Sequence, residues 1–470
     1  MFLEKTHIKS IFYTQQRGKS KVLIIMDACG PSPATISISA SSTCRTTTSR
    51  SSNKGLRKGL RRYPGGKWKR INLTRMMMTM MIMMMACSSK VSSTMGVFGW
   101  TAEWMDRSSK THKISPPRSG HVAFLSDQDV YVFGGYAEER NRDGEEVSRR
   151  FPTQDVWKWN PNGDFNGWEP VVLPADMEEK DCILQPQDTP ELPQQRLAAA
   201  AATLFQNQPI VIGGWDPQIP GTGGVILQDI HKFDPASSKF TKLDIELDQP
   251  TSRHVAVTIA ESTILIHTHR CKDHVILLEQ ATRTSSPTLR KQPTKGTAPS
   301  PRGLHAACAI GNHVVVLCGA AQDGNMSNDV FALNLDQWEW KPVQITNEKS
   351  STQAPSPRAS PCACAVDASS LIVFGGAERT KEGGLQGCND LWLLQFSSAD
   401  FTTATWKRLE TTSRPPPRNA ATLSPLADPP PGITSMSKSS KYFLLAGGWE
   451  PFQTTHNDNF ILQLNQQSTS

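Results

Sequence analysis

One five-part pattern recurs along the chain from residue 118 onward, and it restricts the possible folds more than any other feature. A complete copy has an arginine, an apolar stretch, a second stretch ending in Gly-Gly, an Asn or Asp before an apolar pair, and a final Trp or Phe. A unit of this size cannot bury its apolar face alone, so neighbouring units must stack to form a core. The sequence therefore predicts one large repeat array.

The copies stay in phase over this whole region. Their arginines are Arg118, Arg196, Arg302, Arg358 and Arg418, with Arg253 assigned to the same place in a degenerate third copy. Their glycines are Gly134, Gly135, Gly213, Gly214, Gly319, Gly375, Gly376, Gly447 and Gly448. The spacing of the arginines leaves no room for a seventh copy and does not allow the third to be left out, so we predict six units.

Each part of the pattern has a physical reason. Short runs of Val, Ile, Leu and Phe that are apolar at nearly every position are typical of strands covered on both faces. Glycine at the end of such a strand allows a positive φ and a close backbone approach that a Cβ would prevent. Asn-Asp favours a turn before the third strand, and the Trp or Phe provides area for packing one unit on the next.

This pattern resembles the Kelch repeat, whose family fold is a β-propeller of four-stranded blades. The resemblance covers residues 98–470 and implies an all-β, six-bladed Kelch-type β-propeller. The sixth copy ends at residues 460–464 without a fourth strand, and an unassigned strand around Trp104 precedes Arg118. We expect this N-terminal strand to complete the last blade and to close the ring.

The third copy also contains a cluster of possible metal ligands. It has His267-Thr268 where Gly-Gly is expected, and His269, Cys271 and His274 follow. These side chains suit zinc or iron, but their spacing matches no structural zinc motif. A decayed repeat without a metal is the preferred interpretation, and His267, His269 and His274 are the candidate ligands if a metal binds.

Residues 1–97 have a different composition from the rest. Residues 1–102 contain 17 Lys and Arg and two acids, a local charge of +15, so the remaining residues carry −8 of the total of +7. The Ser-, Thr-, Arg- and Met-rich composition predicts a disordered basic leader, which is either a targeting segment or the product of a start assigned too far upstream. The acidic body gives no argument for nucleic-acid binding, and no apolar run is long enough to span a membrane.

Two loops that follow glycine pairs are near-twins. Trp215-Asp216-Pro217 follows the second pair, and Trp449-Glu450-Pro451 follows the last. An aromatic side chain and an acid held at the end of a rigid strand suit a ligand or peptide site. The sequence therefore nominates Trp215, Asp216, Trp449 and Glu450 as binding residues; alternatively, each Trp only covers its own blade.

The other residues that could take part in catalysis or metal binding do not support such a role. Cys308, Cys318, Cys362 and Cys364 fall in predicted strands, which favours buried reduced thiols. The body's tyrosines, which are Tyr131, Tyr136 and Tyr442, do not suit the copper-radical oxidases that share this fold, because two of the three fall in repeat strands. The Kelch-type specifier proteins bind iron through Glu-x-x-x-Asp-x-x-x-His, whereas Glu139 and Asp143 are followed here by Val147.

The expected function follows from these observations. We predict a non-enzymatic, monomeric Kelch-repeat scaffold that binds a protein or peptide through its loops and uses no cofactor. The alternative is a propeller enzyme that acts on a small molecule, or a metal-dependent protein of the specifier type. The sequence leaves the cellular location open, with the cytoplasm as the default and an organelle if the leader is a transit peptide.

Overall fold

The structure is a computed structural model that describes strands between residues 7 and 48 and most of residues 100–466. The gaps in the second part are 108–116, 128, 141–146, 160–167, 173–191, 218–222, 347–353, 431–432 and 434–438, and side chains are not described for 139–149. The chain forms two compact units, Met1–Ser93 and Thr94–Ser470. The predicted domain boundary near residue 98 lies outside the described residues.

The N-terminal unit contains a small sheet. His7–Gln16, Lys19–Asp27, Ala34–Ser39 and Thr47–Thr48 pair antiparallel in chain order. This sheet lies within residues 1–97, which the sequence analysis predicts to be a disordered basic leader. The first two strands are rich in Ile, Val, Leu and aromatic residues, which favour strands, and the acid-free Ser/Thr/Arg composition behind the prediction begins only at Ala28. The rest of the leader lies outside the described residues.

The second unit is an all-β propeller, which confirms the predicted fold class. The part of the chain that the structure describes contains no apolar helix of membrane-spanning length. Within the described residues of this unit, six sheets each contain four antiparallel strands in the order of a propeller blade, and two of the six have a short fifth strand. Blade 1 consists of Val122–Ser126, Asp129–Phe133, Val156–Trp159 and Trp168–Val172, and blade 2 of Ala200–Leu204, Gln208–Asp216, Val225–Asp234 and Lys239–Glu246. Blade 3 consists of Val255–Ala260, Thr263–His267, His274–Glu279 and Thr288–Pro293, and blade 4 of Ala306–Ile310, His313–Leu317, Val330–Asn334 and Glu339–Pro342. Blade 5 consists of Cys362–Asp367, Ser370–Phe374, Leu391–Phe396 and Thr403–Arg408, and blade 6 of Thr422–Leu426, Lys441–Ala446, Asn459–Gln466 and Trp100–Asp106.

Short strands extend the blades at their ends. Lys295–Gly296 and Gln344–Ile345 pair in parallel with the outer strands of blades 4 and 5. A separate three-stranded sheet next to blade 1 consists of Arg118–Ser119, Tyr136–Arg140 and Val147–Pro152. Two more hairpins follow the second strands of blades 5 and 6, Ala377–Arg379 with Leu385–Gly387 and Trp449–Glu450 with Thr454–Thr455.

The N-terminal strand of this unit is the outer strand of blade 6. Trp100–Asp106 pairs antiparallel with Asn459–Gln466, and Trp104 lies opposite Leu462. The Trp104 ring also packs on Phe374 of blade 5, with 4.8 Å between the ring centroids. The innermost strands contact one another in blade order, and that of blade 6 contacts that of blade 1. Together these strands surround a channel of about 710 Å³ whose lining residues include eight alanines.

The repeat arginine is buried and makes the same contacts in five blades. Arg118 donates from Nη1 and Nη2 to the two Asp155 carboxylate oxygens at 2.9 Å each, and from Nη1 to the Gly134 carbonyl at 3.1 Å. The equivalent pairs are Arg196–Asp229, Arg302–Asp329, Arg358–Asp390 and Arg418–Asp458. Burial raises the pKa of Asp155, but the Arg118 guanidinium outweighs this effect and holds the pKa below its usual value. Each pair therefore links the segment before the first strand of its blade to the end of the second strand and to the start of the third.

The glycine pairs connect each blade to the next. The second glycine donates its N–H to the carbonyl of the next repeat arginine, as Gly135 does to Arg196 at 2.7 Å and Gly448 does to Arg118 at 2.8 Å. Gly447 has a φ of +60°, and a Cβ there would lie 2.6 Å from the Arg118 carbonyl oxygen. The close approach of two blades thus explains why the repeat requires glycine.

The structure corrects the alignment of the third copy. The residue equivalent to the repeat arginine is Thr251 and not Arg253, because the Gly214 N–H donates to the Thr251 carbonyl at 2.9 Å. The strand register then places Thr268-His269 at the Gly-Gly position and His274 at the position of the repeat aspartate. The sequence alone favoured Arg253 because it is the only arginine near the expected spacing.

A closed ring of backbone hydrogen bonds links all six blades. Each member lies two residues after the repeat arginine or its Thr251 counterpart, has a φ between 49° and 65°, and donates to the equivalent carbonyl of the preceding blade at 2.7–3.1 Å. The members are Gly120, Ala198, Arg253, Leu304, Ser360 and Ala420. We call this set the hydrogen-bond ring and the end of the propeller that carries it the ring face.

Loss of one buried carboxylate is expected to destabilise the propeller. Both Arg118 and Asp155 are only 2% exposed, so Asp155→Asn leaves a buried guanidinium without its counter-charge. We expect the free energy of unfolding to fall by about 3 kcal/mol, as measured by urea denaturation. Glu246→Gln in the exposed Lys242–Glu246 pair is the control and is expected to change stability little. Equal effects of the two substitutions would contradict a structural role for the buried pair.

Stability is also expected to depend on pH through four buried histidines. Burial lowers the pKa of His121 to about 3, of His254 to about 4 and of His267 to about 3, and places that of His305 well below its usual value. These groups stay neutral in the folded protein, whereas in the unfolded chain they bind protons below about pH 6.5. The free energy of unfolding should therefore fall as the pH drops from about 6.5 toward 4, by about 1.4 kcal/mol per pH unit for each histidine.

Denaturation series at pH 7, 6 and 5 test this dependence. His121→Asn removes one of the four groups and should make the slope shallower by the contribution of one proton. Identical stabilities at pH 7 and pH 5 would show that these histidines are not held neutral by burial.

Candidate functional site

Three blades carry an aromatic residue directly after the glycine pair. These residues are Tyr136 in blade 1, Trp215 in blade 2 and Trp449 in blade 6. They lie at the ring face. The first strand of each blade begins at this face, and the second strand, which is antiparallel to it, ends there. Blade 1 lies between blades 6 and 2 in the ring, so the three aromatic side chains come from consecutive blades.

These side chains line one cleft of about 410 Å³, which we call the aromatic cleft. Its other lining residues are Ser119, Arg150, Leu197, Pro217, Gly223 and Thr455. Trp215 is fixed by its indole N–H, which donates to the Gly223 carbonyl at 3.0 Å. The Trp449 ring makes an edge contact with Phe452, with 5.6 Å between centroids. The cleft therefore offers partly exposed aromatic rings in fixed positions.

A small polar network borders the aromatic cleft. The Arg150 Nε donates to Glu138 Oε2 at 3.2 Å, and Thr455 Oγ1 donates to the same oxygen at 3.0 Å. Arg150 is half-exposed, whereas Glu138 is buried. The network thus connects blades 1 and 6 and places an ion-paired guanidinium at the edge of the cleft.

Exposed apolar side chains are concentrated on the ring face. Among the described residues, the exposed large hydrophobic side chains are Val225, Ile226 and Phe452. Val225 and Ile226 lie opposite Asp216 and Trp215 in the blade 2 hairpin, and Phe452 follows Trp449. Phe452 is 77% exposed. Apolar groups exposed in this way commonly mark interaction surfaces.

The structure brings together two of the four nominated binding residues. Trp215 and Trp449 share the aromatic cleft, whereas Asp216 is buried beside it and accepts bonds from Gln194 Nε2 at 2.5 Å and Gln195 Nε2 at 3.0 Å. Glu450 is partly exposed in the short hairpin after Trp449. The sequence analysis did not nominate Tyr136, although its position after Gly134-Gly135 is the same signal that identified the two tryptophans.

The possible metal ligands of blade 3 lie in different environments. His267 is buried, and its Nδ1 is 3.0 Å from His305 Nε2, whereas His274 Nδ1 is 2.8 Å from the Asp273 carboxylate. The second strand ends at His267, so His269 and Cys271 belong to a loop. Within the described residues, no three His, Cys, Asp or Glu side chains are grouped closely enough to hold a metal ion.

The cysteines of the propeller strands are buried and not paired, which confirms the prediction for Cys308, Cys318, Cys362 and Cys364. Burial raises the pKa of the Cys318, Cys362 and Cys364 thiols to about 12. Thiols in this state are poor nucleophiles at neutral pH. Their contribution is therefore packing in the hydrophobic core between blades.

Comparison with known proteins places this molecule among the Kelch-type β-propellers. Residues 267–470 match the family model described as the KLHDC2/KLHL20/DRC7 Kelch-repeats domain. Kelch domain-containing protein 2 of Bos taurus is 32% identical over 315 residues, which are 60% of this chain and 68% of that protein. The chain belongs to the Kelch-repeat family.

Other relatives match over shorter stretches. An F-box/kelch-repeat protein of Arabidopsis thaliana is 27% identical over 147 residues, which are 30% of this chain and 29% of that protein. Dynein regulatory complex subunit 7 of Chlamydomonas reinhardtii is 39% identical over 89 residues, 18% of this chain and 7% of its own length. The chain therefore spans less than a third of these two relatives.

Proposed function

We propose that this protein is an interaction platform that binds a protein or peptide partner at the ring face. The aromatic cleft receives an apolar side chain of the partner between Trp215 and Trp449. The observation that carries this proposal is the convergence of the two tryptophans from blades 2 and 6, with Tyr136 of blade 1, on one cleft.

The chemistry of the ring face supports a macromolecular partner. Aromatic residues are enriched at the centres of protein interfaces, where they account for much of the binding energy. Phe452 and Ile226 extend the apolar surface on either side of the cleft, and Arg150 provides a polar edge. A surface with apolar centres and polar edges is typical of protein–protein contacts.

Family membership also supports this function. Members of the Kelch-repeat family commonly mediate protein interactions, and one relative of this chain is named as a subunit of a dynein regulatory complex. The propeller provides a rigid scaffold, because the hydrogen-bond ring and the buried arginine pairs fix the strand ends from which the binding hairpins extend. A rigid scaffold with variable hairpins reduces the entropic cost of binding.

Selection of binding peptides from a displayed random library on the full chain tests the proposal. Trp215→Ala and Trp449→Ala are each expected to weaken binding of the selected peptides about tenfold or more, as measured by titration. Trp338→Ala is the matched control, because Trp338 is also partly buried but lies in a turn at the opposite end of the propeller. Thermal melting of each variant establishes that it remains folded.

Two results would overturn the proposal. The first is that the selected peptides bind the two cleft variants as tightly as the unchanged protein. The second is that Trp338→Ala weakens binding as much as the cleft substitutions do, because the docking site would then lie elsewhere.

A further inference from the structure

The aromatic cleft contains hydrogen-bond donors that are not used inside the protein. Ser119, Tyr136 and Trp449 line the cleft and are partly exposed. Among the described residues, the Ser119 and Tyr136 hydroxyl groups and the Trp449 indole N–H have no hydrogen-bond partner, and none of the three is fully buried. These groups are therefore free to donate to a bound ligand.

The acceptors of the cleft, in contrast to these donors, are mostly used inside the protein. Leu197 and Trp215 exchange both of their backbone hydrogen bonds, at 2.9 and 2.8 Å, and the Trp449 carbonyl accepts the Asn419 N–H at 2.9 Å. The Gly223 carbonyl accepts the Trp215 indole N–H at 3.0 Å. No Asp or Glu is among the described residues that line the cleft. The cleft thus has a surplus of donors over acceptors.

This surplus of donors selects among peptide backbones. A bound peptide has carbonyl oxygens, which can accept from the free donors, and N–H groups, which would be buried without an acceptor. A buried N–H that loses its water partners and gains no new acceptor weakens binding. Proline contributes a carbonyl to the backbone but no N–H. The hydrogen-bonding balance of the cleft therefore favours a proline-rich segment.

The apolar lining of the cleft also suits proline. The rings of Tyr136, Trp215 and Trp449 form this lining together with Leu197 and Pro217. Proline-rich segments adopt the polyproline II helix, whose backbone makes no internal hydrogen bonds. This helix is formed before it binds and docks in grooves lined by aromatic rings, so little conformational entropy is lost on binding. Its apolar rings and free carbonyl groups match the aromatic rings and free donors of the cleft.

The charges at the cleft are neutralised within the protein. Arg150 is the only charged side chain among the described lining residues, and its Nε is 3.2 Å from a carboxylate oxygen of the buried Glu138. A charged side chain that entered the cleft would lose its hydration without gaining an unpaired opposite charge. The cleft therefore matches an uncharged segment.

We propose that the aromatic cleft binds a proline-rich segment of the partner in the polyproline II conformation. Proline rings of the segment pack on Trp215 and Trp449, and its backbone carbonyls accept hydrogen bonds from the Trp449 indole N–H and the Tyr136 hydroxyl. This inference rests on the proposed function and adds the chemical class of the bound segment to it.

The test compares two fluorescein-labelled peptides of equal length with the same uncharged flanks. The first has the core Pro-Pro-Leu-Pro-Pro, and the second has Ala-Ala-Leu-Ala-Ala. We expect the full chain to bind the proline peptide about tenfold more tightly, because the alanine peptide buries N–H groups without acceptors and loses more conformational entropy. Added salt should change this difference little, because no unpaired charges are involved. Fluorescence anisotropy measures both affinities.

Substitutions that remove single donors locate the binding site. Trp449→Phe keeps an aromatic ring without the indole N–H, and Tyr136→Phe removes only a hydroxyl group. Each should weaken binding of the proline peptide about threefold or more. Trp338→Phe and Tyr442→Phe are the matched controls, because Trp338 lies in a turn at the opposite end of the propeller and the Tyr442 hydroxyl is buried outside the cleft. Thermal melting establishes that all four variants are folded.

Three results would contradict the inference. They are equal affinities for the two peptides, no binding of the proline peptide at concentrations up to about 1 mM, and an unchanged affinity in both donor variants. None of them decides the proposed function, which depends on Trp215 and Trp449. If library-selected peptides require those tryptophans but contain no proline, the docking surface stands and the proline preference is wrong. If they do not require the tryptophans, the proposed function itself fails.

Discussion

The buried arginine–aspartate pair is the interaction on which the rest of this propeller depends. A guanidinium cannot be buried at acceptable cost unless a carboxylate neutralises it and its remaining donors find acceptors. Arg358 meets both conditions with Asp390, the Gly375 carbonyl and the Ser356 carbonyl. Arg358 precedes the first strand of blade 5, Gly375 follows the second and Asp390 precedes the third. The pair therefore fixes where the strands begin and end. The position of the glycine pairs follows from it, because the second glycine of each pair donates its N–H to the carbonyl of the repeat arginine, or of Thr251, in the next blade.

Blade 3 shows what happens where this pair is absent. Thr251 and His274 take its place, and the blade is held instead by backbone bonds of the ring, by Arg270 on Thr251 and by the contact of His267 with His305. Because Arg253 is not needed for a buried ion pair, its guanidinium faces solvent at the channel mouth. The blade with the weakest repeat signature therefore has an exposed arginine at the channel mouth.

Much of the fold was predictable, because the residues that each blade needs for its strands, its buried ion pair and its tight turn recur in several copies of the repeat. The strand runs, the arginines and the glycines recur in phase, so one exception such as Cys318 or Thr268 does not obscure them. Trp215 and Trp449 were also identified, since both follow a glycine pair. Arg150 was missed because it lies in a hairpin that has no repeat signature, whereas Tyr136 was missed although it follows a glycine pair as the two tryptophans do. In the third copy the arginine position was assigned two residues too late, because the only nearby arginine is Arg253.

The sequence by itself determined the class of fold, the identity of the structural arginines and glycines, and the separation of a basic leader from an acidic body. These properties depend on local pattern and composition, which are independent of how distant segments meet. The tertiary structure alone decided that Trp215 and Trp449 share one cleft and that Ser119 and Tyr136 line it with them. Such groupings arise from the packing of neighbouring blades, and the two tryptophans are more than 200 positions apart along the chain. No local pattern contains that information, because the distance between them is set by the curvature of the ring.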